Sequence, residues 1–231
     1  VSSRLGENHY YMTTTTGGAA HVLGWMERWH QTEWPDLEVF FTSVTDRWAV
    51  ASIAGPNSRS LLGRICSDID LSADAFPFMS LREGSVAGIS ARVFRISFSG
   101  ELAFEINVSA DDGVALWESL MEAGSEYDIT PYGTETMHVL RAEKGYVIVG
   151  QDTDGSVTPA DLGMDWIVSK TKDFIGKRSL VRADTLRANR KQLVGLVTDQ
   201  PEIVLPEGTQ LVNEPSTVYP VPMTGHVASS Y

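Results

Sequence analysis

A single glutamate inside a strongly apolar stretch is the first residue of this chain whose type and position suggest chemistry. The stretch covers residues 93–108 (VFRISFSGELAFEINV) and predicts two alternating strands around a Ser-Gly-Glu turn. The alternation places Glu105 on the strand face opposite Phe104 and Ile106. A carboxylate at such a position faces either water or a polar pocket on a rigid strand, and the pattern leaves both interpretations open.

No further set of residues forms a catalytic or metal-binding motif. The histidines show neither an H-E-x-x-H motif nor paired ligand spacing, which favours structural or surface roles for all five: His9, His21, His30, His138 and His226. The chain has no G-x-S-x-G nucleophile elbow. Cys66 ends an apolar helical stripe, where an inert buried thiol is expected. The sequence therefore names no catalytic residue and no metal site.

Two charged segments in the second half allow more than one interpretation. Residues 152–159 (DTDGSVTP) carry two aspartates at a metal-like spacing, but no glutamate follows at the EF-hand offset, so a solvated turn is predicted. Residues 170–178 (KTKDFIGKR) form a basic cluster in an otherwise acidic chain. The cluster is interpreted either as a solvated face or as a docking site for an anionic group.

The elements that would position Glu105 alternate between strands and helices. Periodicity predicts strands at 10–16, 38–43, 48–54, 85–89, 164–168, 193–198 and 210–212, and helices at 19–31, 58–66, 111–124 and 133–144. This order predicts an α+β protein with ferredoxin-like split β-α-β units, followed by the start of a C-terminal β-barrel. We expect two α+β parts of one domain at 1–84 and 85–185, and an incomplete barrel at 186–231.

Composition limits the partners and the compartment. The chain has 231 residues, 42% of them hydrophobic, and carries a net charge of −12. Nucleic-acid binding requires clustered Lys and Arg, so this acidic balance argues against it. No apolar run reaches the ~20 residues that a membrane span needs. With a single cysteine, no internal disulfide forms, which favours a reducing, cytoplasmic location.

Seven short motifs occur in a fixed order and carry a resemblance to a known family. They are IAGPNSR (53–59), SFSGELAFEI (97–106), LRAEKGY (140–146), DTDGSVTP (152–159), LGMDWIV (162–168), DFIGK (173–177) and GHVASS (225–230). In this order they resemble the folate-binding aminomethyltransferases, the glycine-cleavage T-protein superfamily. Within that superfamily, MTTTTGG (12–18) and the FSGELAFEI variant are most similar to the C-terminal region of the alpha subunits of heterotetrameric sarcosine oxidases.

The resemblance implies a three-part fold around a channel for tetrahydrofolate, and it assigns binding roles to four residues. Glu105 matches the glutamate that accepts a pair of hydrogen bonds from the 2-amino group and the N3–H of the pterin ring. Phe98 stands where the family usually has tyrosine, so a stacking contact is kept and a hydroxyl hydrogen bond is lost. Arg141 matches an arginine that interacts with a carboxylate, with an internal pair to Glu143 as the alternative. Thr15 lies on an early strand that lines the channel.

The resemblance also implies an activity for a larger enzyme. That enzyme oxidises sarcosine to glycine with oxygen and transfers the one-carbon unit to tetrahydrofolate, giving 5,10-methylenetetrahydrofolate. Its complete form uses FAD, FMN and NAD, and its partners are the other sarcosine oxidase subunits. The alternatives are a stand-alone aminomethyltransferase of the glycine cleavage system and a non-catalytic folate-family scaffold or regulator.

The resemblance places an important aspartate upstream of Val1, so the expected catalytic residue lies outside this sequence. It also places the closing barrel strands beyond Tyr231. We therefore expect a piece of a longer subunit that is inactive by itself.

Overall fold

The computed structural model describes residues 1–215 and 218–231. These residues form two compact units, unit 1 (Val1–Tyr132) and unit 2 (Gly133–Tyr231). Helices and strands both occur, which confirms the predicted α+β class.

Unit 1 is built around a four-stranded antiparallel sheet. Its elements are β1 (Ser2–Gly6), β2 (His9–Met12), α1 (Ala19–Thr32), β3 (Trp48–Ala54), α2 (Ser58–Ile65), β4 (Leu81–Val86), β5 (Ile89–Phe94), β6 (Ala103–Ser109) and α3 (Gly113–Gly124). The strand order in the sheet is β3-β6-β5-β4, so the strands joined by α2 lie at opposite edges. β1 and β2 form a separate hairpin.

One face of this sheet carries the apolar core. Alternation along β6 turns Phe104, Ile106 and Val108 to that face, and all three are fully buried. Leu62 of α2 and Leu116 of α3 belong to the same cluster, so both helices cover this face. Burial of each such side chain stabilises the fold by about 1.5–3 kcal/mol. The other face of the sheet is therefore the one that carries Glu105.

The connection between β5 and β6 differs from the tight turn that the sequence predicts. β5 ends at Phe94, and residues 95–102 follow an irregular path before β6 begins. Gly100 lies at the centre of this connection with a φ of 81°, a conformation that glycine adopts without steric cost. The two strands still pair antiparallel, as predicted.

Four predicted strands are wrong. The one at 85–89 spans the turn at Ala87 and Gly88 that joins β4 to β5. The other three fail because a strand persists only where another strand or an apolar surface pairs with it. Residues 38–43 have no regular structure, and the Phe40 side chain is 96% exposed. Residues 193–198 are irregular, with Val197 98% exposed. Residues 164–168 instead contain a short 3-10 helix, Asp165–Ile167.

Unit 2 contains little regular structure in its described part. It has α4 (Thr134–Glu143), several short 3-10 segments, and a small antiparallel ladder of β7 (Gln210–Leu211) with β8 (Gly225–His226). The predicted start of a β-barrel remains a prediction beyond this ladder. The three-part division also remains a prediction, and its boundary at 84/85 falls inside β4.

Candidate functional site

Glu105 lies at the centre of β6, on the sheet face away from the apolar core. Its neighbours on the same face, Ala103 and Asn107, are each only 1% exposed, and Glu105 itself is half-buried. Ser52 of β3 and Phe94 of β5 stand opposite it in the strand register. Cross-strand partners point to the same face, so the carboxylate sits between a hydroxyl and an aromatic ring. This partial burial favours a pocket over an open, solvated face for Glu105, and the binding role stays a prediction.

The Glu105 carboxylate has no close partner inside the protein: within residues 1–215 and 218–231, it forms no hydrogen bond and no ion pair. Burial raises the pKa of Glu105 above its ordinary value. The positive Val1 amino group lowers its pKa, but by less than burial raises it. The pKa of Tyr132 is also raised, mainly by burial, although a hydrogen bond with Ser52 opposes the shift. A half-buried carboxylate without a partner is prepared to accept hydrogen bonds from a ligand.

Next to Glu105, an arginine is held between two aromatic rings. The Arg92 guanidinium lies 4.5 Å from the Trp48 ring centroid and 4.9 Å from the Tyr11 ring centroid. Arg92 Nε also donates to Glu83 Oε1 at 2.8 Å. Because Arg92 stands opposite Asn107 in the register, this group shares the sheet face of Glu105.

Two of the predicted site residues lie elsewhere than expected. Thr15 is not on a strand, because β2 ends at Met12 and the chain folds into a 3-10 turn in which the Thr15 carbonyl accepts from Gly18 N–H at 3.0 Å. Phe98 lies in the irregular 95–102 connection and is 43% exposed. The aromatic residue in register with Glu105 is Phe94, which the sequence analysis did not single out.

Arg141 is buried in unit 2 and is paired within that unit. Its side chain is 3% exposed, and Nη1 donates to Asp152 Oδ2 at 2.5 Å and to the Tyr146 carbonyl at 3.1 Å. Nη2 donates to Ser229 Oγ at 2.7 Å. The internal partner is thus Asp152, not Glu143. With these contacts the guanidinium acts as a structural centre of unit 2.

The loop at 152–159 is only partly the solvated turn that the sequence predicts. Asp154 is exposed and accepts from Ser156 N–H at 2.7 Å, as a turn residue does. Asp152, in contrast, is buried against Arg141. Asp152 is buried because the buried Arg141 requires a carboxylate close by. The turn pattern of residues 152–159 does not indicate this partner.

A second internal ion pair follows directly. Asp161 Oδ1 accepts from Arg190 Nε at 2.8 Å and Oδ2 accepts from Arg190 Nη2 at 2.5 Å, a two-point pair. The Asp161 side chain also forms a capping box with Thr158. The Arg190 guanidinium holds the pKa of Asp161 well below its usual range.

The basic cluster at 170–178 borders an open cavity of about 450 Å³ in unit 2. The cavity is lined by Lys172 and by apolar residues that include Phe174 and Leu180. Lys177 is engaged locally, since its Nζ lies 2.9 Å from Asp173 Oδ1. The cluster is therefore partly neutralised by its own carboxylate.

The described residues provide neither a metal site nor a membrane-spanning helix. Outside positions 216 and 217, no group of three His, Cys, Asp or Glu side chains could hold a metal ion. No helix in the described part is long and apolar enough to cross a membrane.

Comparison with known proteins gives relatives along the whole chain. Sarcosine oxidase subunit alpha from Corynebacterium sp. (strain P-1) is 53% identical over 234 residues, covering 100% of this chain and 24% of that protein. Human mitochondrial dimethylglycine dehydrogenase is 33% identical, over 91% of this chain and 24% of its own length. Aminomethyltransferase from Halothermothrix orenii is 31% identical, over 83% of this chain and 51% of its own length.

The chain thus spans about a quarter of the sarcosine oxidase subunit that it matches. The family model described as the GCVT N-terminal domain matches residues 1–172. This match confirms the resemblance carried by the seven motifs: the chain belongs to the GCVT aminomethyltransferase family.

Proposed function

We propose that this chain is the tetrahydrofolate-binding part of an enzyme that demethylates sarcosine to glycine and gives the one-carbon unit to tetrahydrofolate as 5,10-methylenetetrahydrofolate. The observation that carries the proposal is the half-buried, unpaired carboxylate of Glu105 in a member of this family. Sarcosine is proposed as the substrate because identity to a sarcosine oxidase subunit, 53%, is well above the 31% to an aminomethyltransferase.

The residues around Glu105 fit a pterin ring. The ring presents two N–H donors along one edge, and an ionised carboxylate accepts both as a charge-assisted pair. Phe94, the cross-strand neighbour of Glu105, is only 2% exposed, so it supports the strand beside the carboxylate without contacting the ligand. Phe98, exposed in the adjoining connection, is proposed as the stacking contact. Thr15 keeps only its family-based assignment. Arg141 is proposed as a structural residue and not as a folate ligand, because Asp152 already pairs with it.

The contribution of this chain to the reaction is to bind and orient. Tetrahydrofolate, when bound, supplies the amine nitrogens that accept the one-carbon unit. A rigid strand that fixes one edge of the ring fixes the direction of those nitrogens, which lowers the entropic cost of transfer. Glu105 must be ionised to do this, and its raised pKa predicts weaker folate binding as the pH falls through that value.

The redox part of the activity is proposed to lie outside this chain. The relatives are about four times longer than the segment that matches. We propose that FAD, FMN and NAD bind other parts of the protein or other sarcosine oxidase subunits, with which this chain forms a hetero-oligomer.

The direct test is titration of the full-length protein that carries this sequence with tetrahydrofolate. Glu105→Gln keeps the side-chain shape but cannot accept both N–H groups. Loss of a charge-assisted pair costs about 1.5–3 kcal/mol, so affinity should fall roughly 10- to 150-fold. Glu118→Gln, a change of an exposed glutamate on α3, is the matched control and should bind as the wild type. Equal affinity of the Glu105→Gln variant and the wild type would refute the assignment.

A further inference from the structure

The β1–β2 hairpin contacts the sheet of unit 1 through the side chain of Tyr11. Along β2, Tyr10 and Met12 are exposed, whereas Tyr11 between them is half-buried. The Tyr11 ring centroid lies 5.7 Å from that of Trp48 and 6.0 Å from that of Phe94. Tyr11 therefore inserts into the sheet face while its neighbours point outward.

The position of Tyr11 places the hairpin beside Glu105. Tyr11 OH donates to Asn107 Oδ1 at 3.4 Å, and Asn107 is two residues from Glu105 on the same strand face. Phe94, the second ring contact, is the cross-strand partner of Glu105. The hairpin thus stands next to the carboxylate and covers this part of the face.

Arg92 holds Tyr11 in this position. Its guanidinium contacts the Tyr11 ring on one side and the Trp48 ring on another, and Glu83 fixes its direction by an ion pair. A guanidinium stacks on aromatic rings as a planar group, so lysine replaces it only in part. The four residues Arg92, Tyr11, Trp48 and Glu83 are called the arginine clamp below.

We propose that Arg92 is a positioning residue for the folate site. Through the arginine clamp it fixes the β1–β2 hairpin against the sheet, and the hairpin forms a wall of the site that contains Glu105. This inference rests on the proposed function. Arg92 does not contact the pterin. It increases the affinity by holding the β1–β2 hairpin against the sheet, next to the bound pterin ring.

The test combines tetrahydrofolate titration with amide hydrogen exchange on the full-length protein. Arg92→Met should weaken tetrahydrofolate binding about tenfold, which corresponds to the loss of one cation–π contact in the arginine clamp. It should also speed amide exchange in residues 2–12. Exchange in β6 should stay slow, because the apolar core lies on the other face. Arg92→Lys should recover part of the affinity. Tyr11→Phe keeps the ring and should remain within about twofold of the wild type, since the lost hydrogen bond is long.

Two further variants keep the proposal decidable. Tyr11→Ala releases the hairpin without changing any residue of the four-stranded sheet, so it replaces Arg92→Met should that variant fail to fold. Arg82→Met removes an arginine stacked 5.3 Å from Phe76 on the core side of β4, and it should leave folate affinity unchanged.

Unchanged affinity in Arg92→Met and Tyr11→Ala, with binding lost in Glu105→Gln, would overturn the clamp and leave the folate assignment standing. Should Glu105→Gln bind normally, the folate assignment fails, and unchanged hairpin exchange in Arg92→Met would then overturn the clamp as well.

Discussion

At the scale of single residues, Glu105 combines two properties that oppose each other. It is half-buried on a rigid strand, which suits ligand binding, and its carboxylate has no hydrogen-bonded or ion-paired partner among the described residues, which opposes folding in its ionised form. Binding residues commonly carry such a cost, because the ligand and not the fold supplies the missing hydrogen bonds.

This opposition predicts a pH-dependent stability difference. Burial raises the folded-state pKa of Glu105 above its unfolded value, so the associated stability is present at low pH and is lost as the pH rises through the raised pKa. Glu105→Gln should therefore increase the free energy of unfolding at pH 7, and the gain should vanish near pH 4. Urea unfolding followed by tryptophan fluorescence measures both values. A variant that is less stable than the wild type at pH 7 would contradict this explanation.

Cys66 offers a second residue-scale prediction. The thiol is buried at the end of α2, and burial raises its pKa, so it stays protonated at neutral pH. Cys66→Ala should leave folate binding unchanged and cost only some stability. Labelling of the native protein with a thiol reagent should be slow, and rapid labelling accompanied by loss of folate binding would show that the thiol belongs to the site.

At the scale of elements, buried ion pairs replace an apolar core in unit 2. The buried hydrophobic side chains of the described chain all belong to unit 1, whereas the buried side chains described in unit 2 include the charged groups of Arg141, Asp152 and Asp161. Arg141 with Asp152, and Asp161 with Arg190, link segments that have little helix or strand of their own. Breaking one partner of such a pair is costly because it leaves a buried charge.

Variants of the Arg141–Asp152 pair distinguish a structural role of Arg141 from a role in folate binding. Asp152→Ala leaves the guanidinium uncompensated and should cost about 3–5 kcal/mol in unit 2. The double variant Arg141→Leu/Asp152→Leu should recover much of that loss and keep folate affinity. Chemical denaturation and folate titration of both variants provide the measurements. Full stability of the double variant with folate binding abolished would instead assign Arg141 to the ligand.

The elements also show which features the sequence predicts. The predicted bounds of β3, α1, α2, α3 and α4 agree with the structure within a few residues, and α1, α2 and α3 each carry an apolar stripe at helical spacing. The strand at 38–43 was predicted from β-branched and aromatic residues alone, and without a pairing partner it did not form. Glu105 could be found from alternation and the family motif. Phe94, Tyr11 and Arg92 could not, since only the strand register and the folded hairpin bring them to its face.

At the scale of the whole molecule, the two units are stabilised by different forces. Unit 1 rests on a buried apolar cluster that is insensitive to pH, and unit 2 rests on carboxylate pairs. The pKa of Asp161 is lowered by Arg190, so the stability it contributes is present above its unfolded value and is lost as the pH falls through the lowered pKa.

Acid should therefore open unit 2 before unit 1. Between about pH 4 and pH 2, amide exchange should lose protection in residues 133–231 while residues 103–109 of the sheet stay protected. In the Asp161→Asn variant, residues 133–231 should lose amide-exchange protection already at neutral pH. Simultaneous loss of protection in both units would mean that they unfold as one cooperative body.

If Glu105 accepts hydrogen bonds from the donor edge of a reduced pterin, this contact can be removed either from the ligand or from the protein, and the two losses should not add. Calorimetry would measure the binding of tetrahydrofolate, and of an analogue lacking the 2-amino group, to the wild-type full-length protein and to its Glu105→Gln variant. We predict that the missing amino group weakens binding to the wild type by about 1.5–3 kcal/mol more than to the variant, because the variant has already lost the charge-assisted contact. Equal losses in both proteins would show that Glu105 does not bind this edge of the pterin.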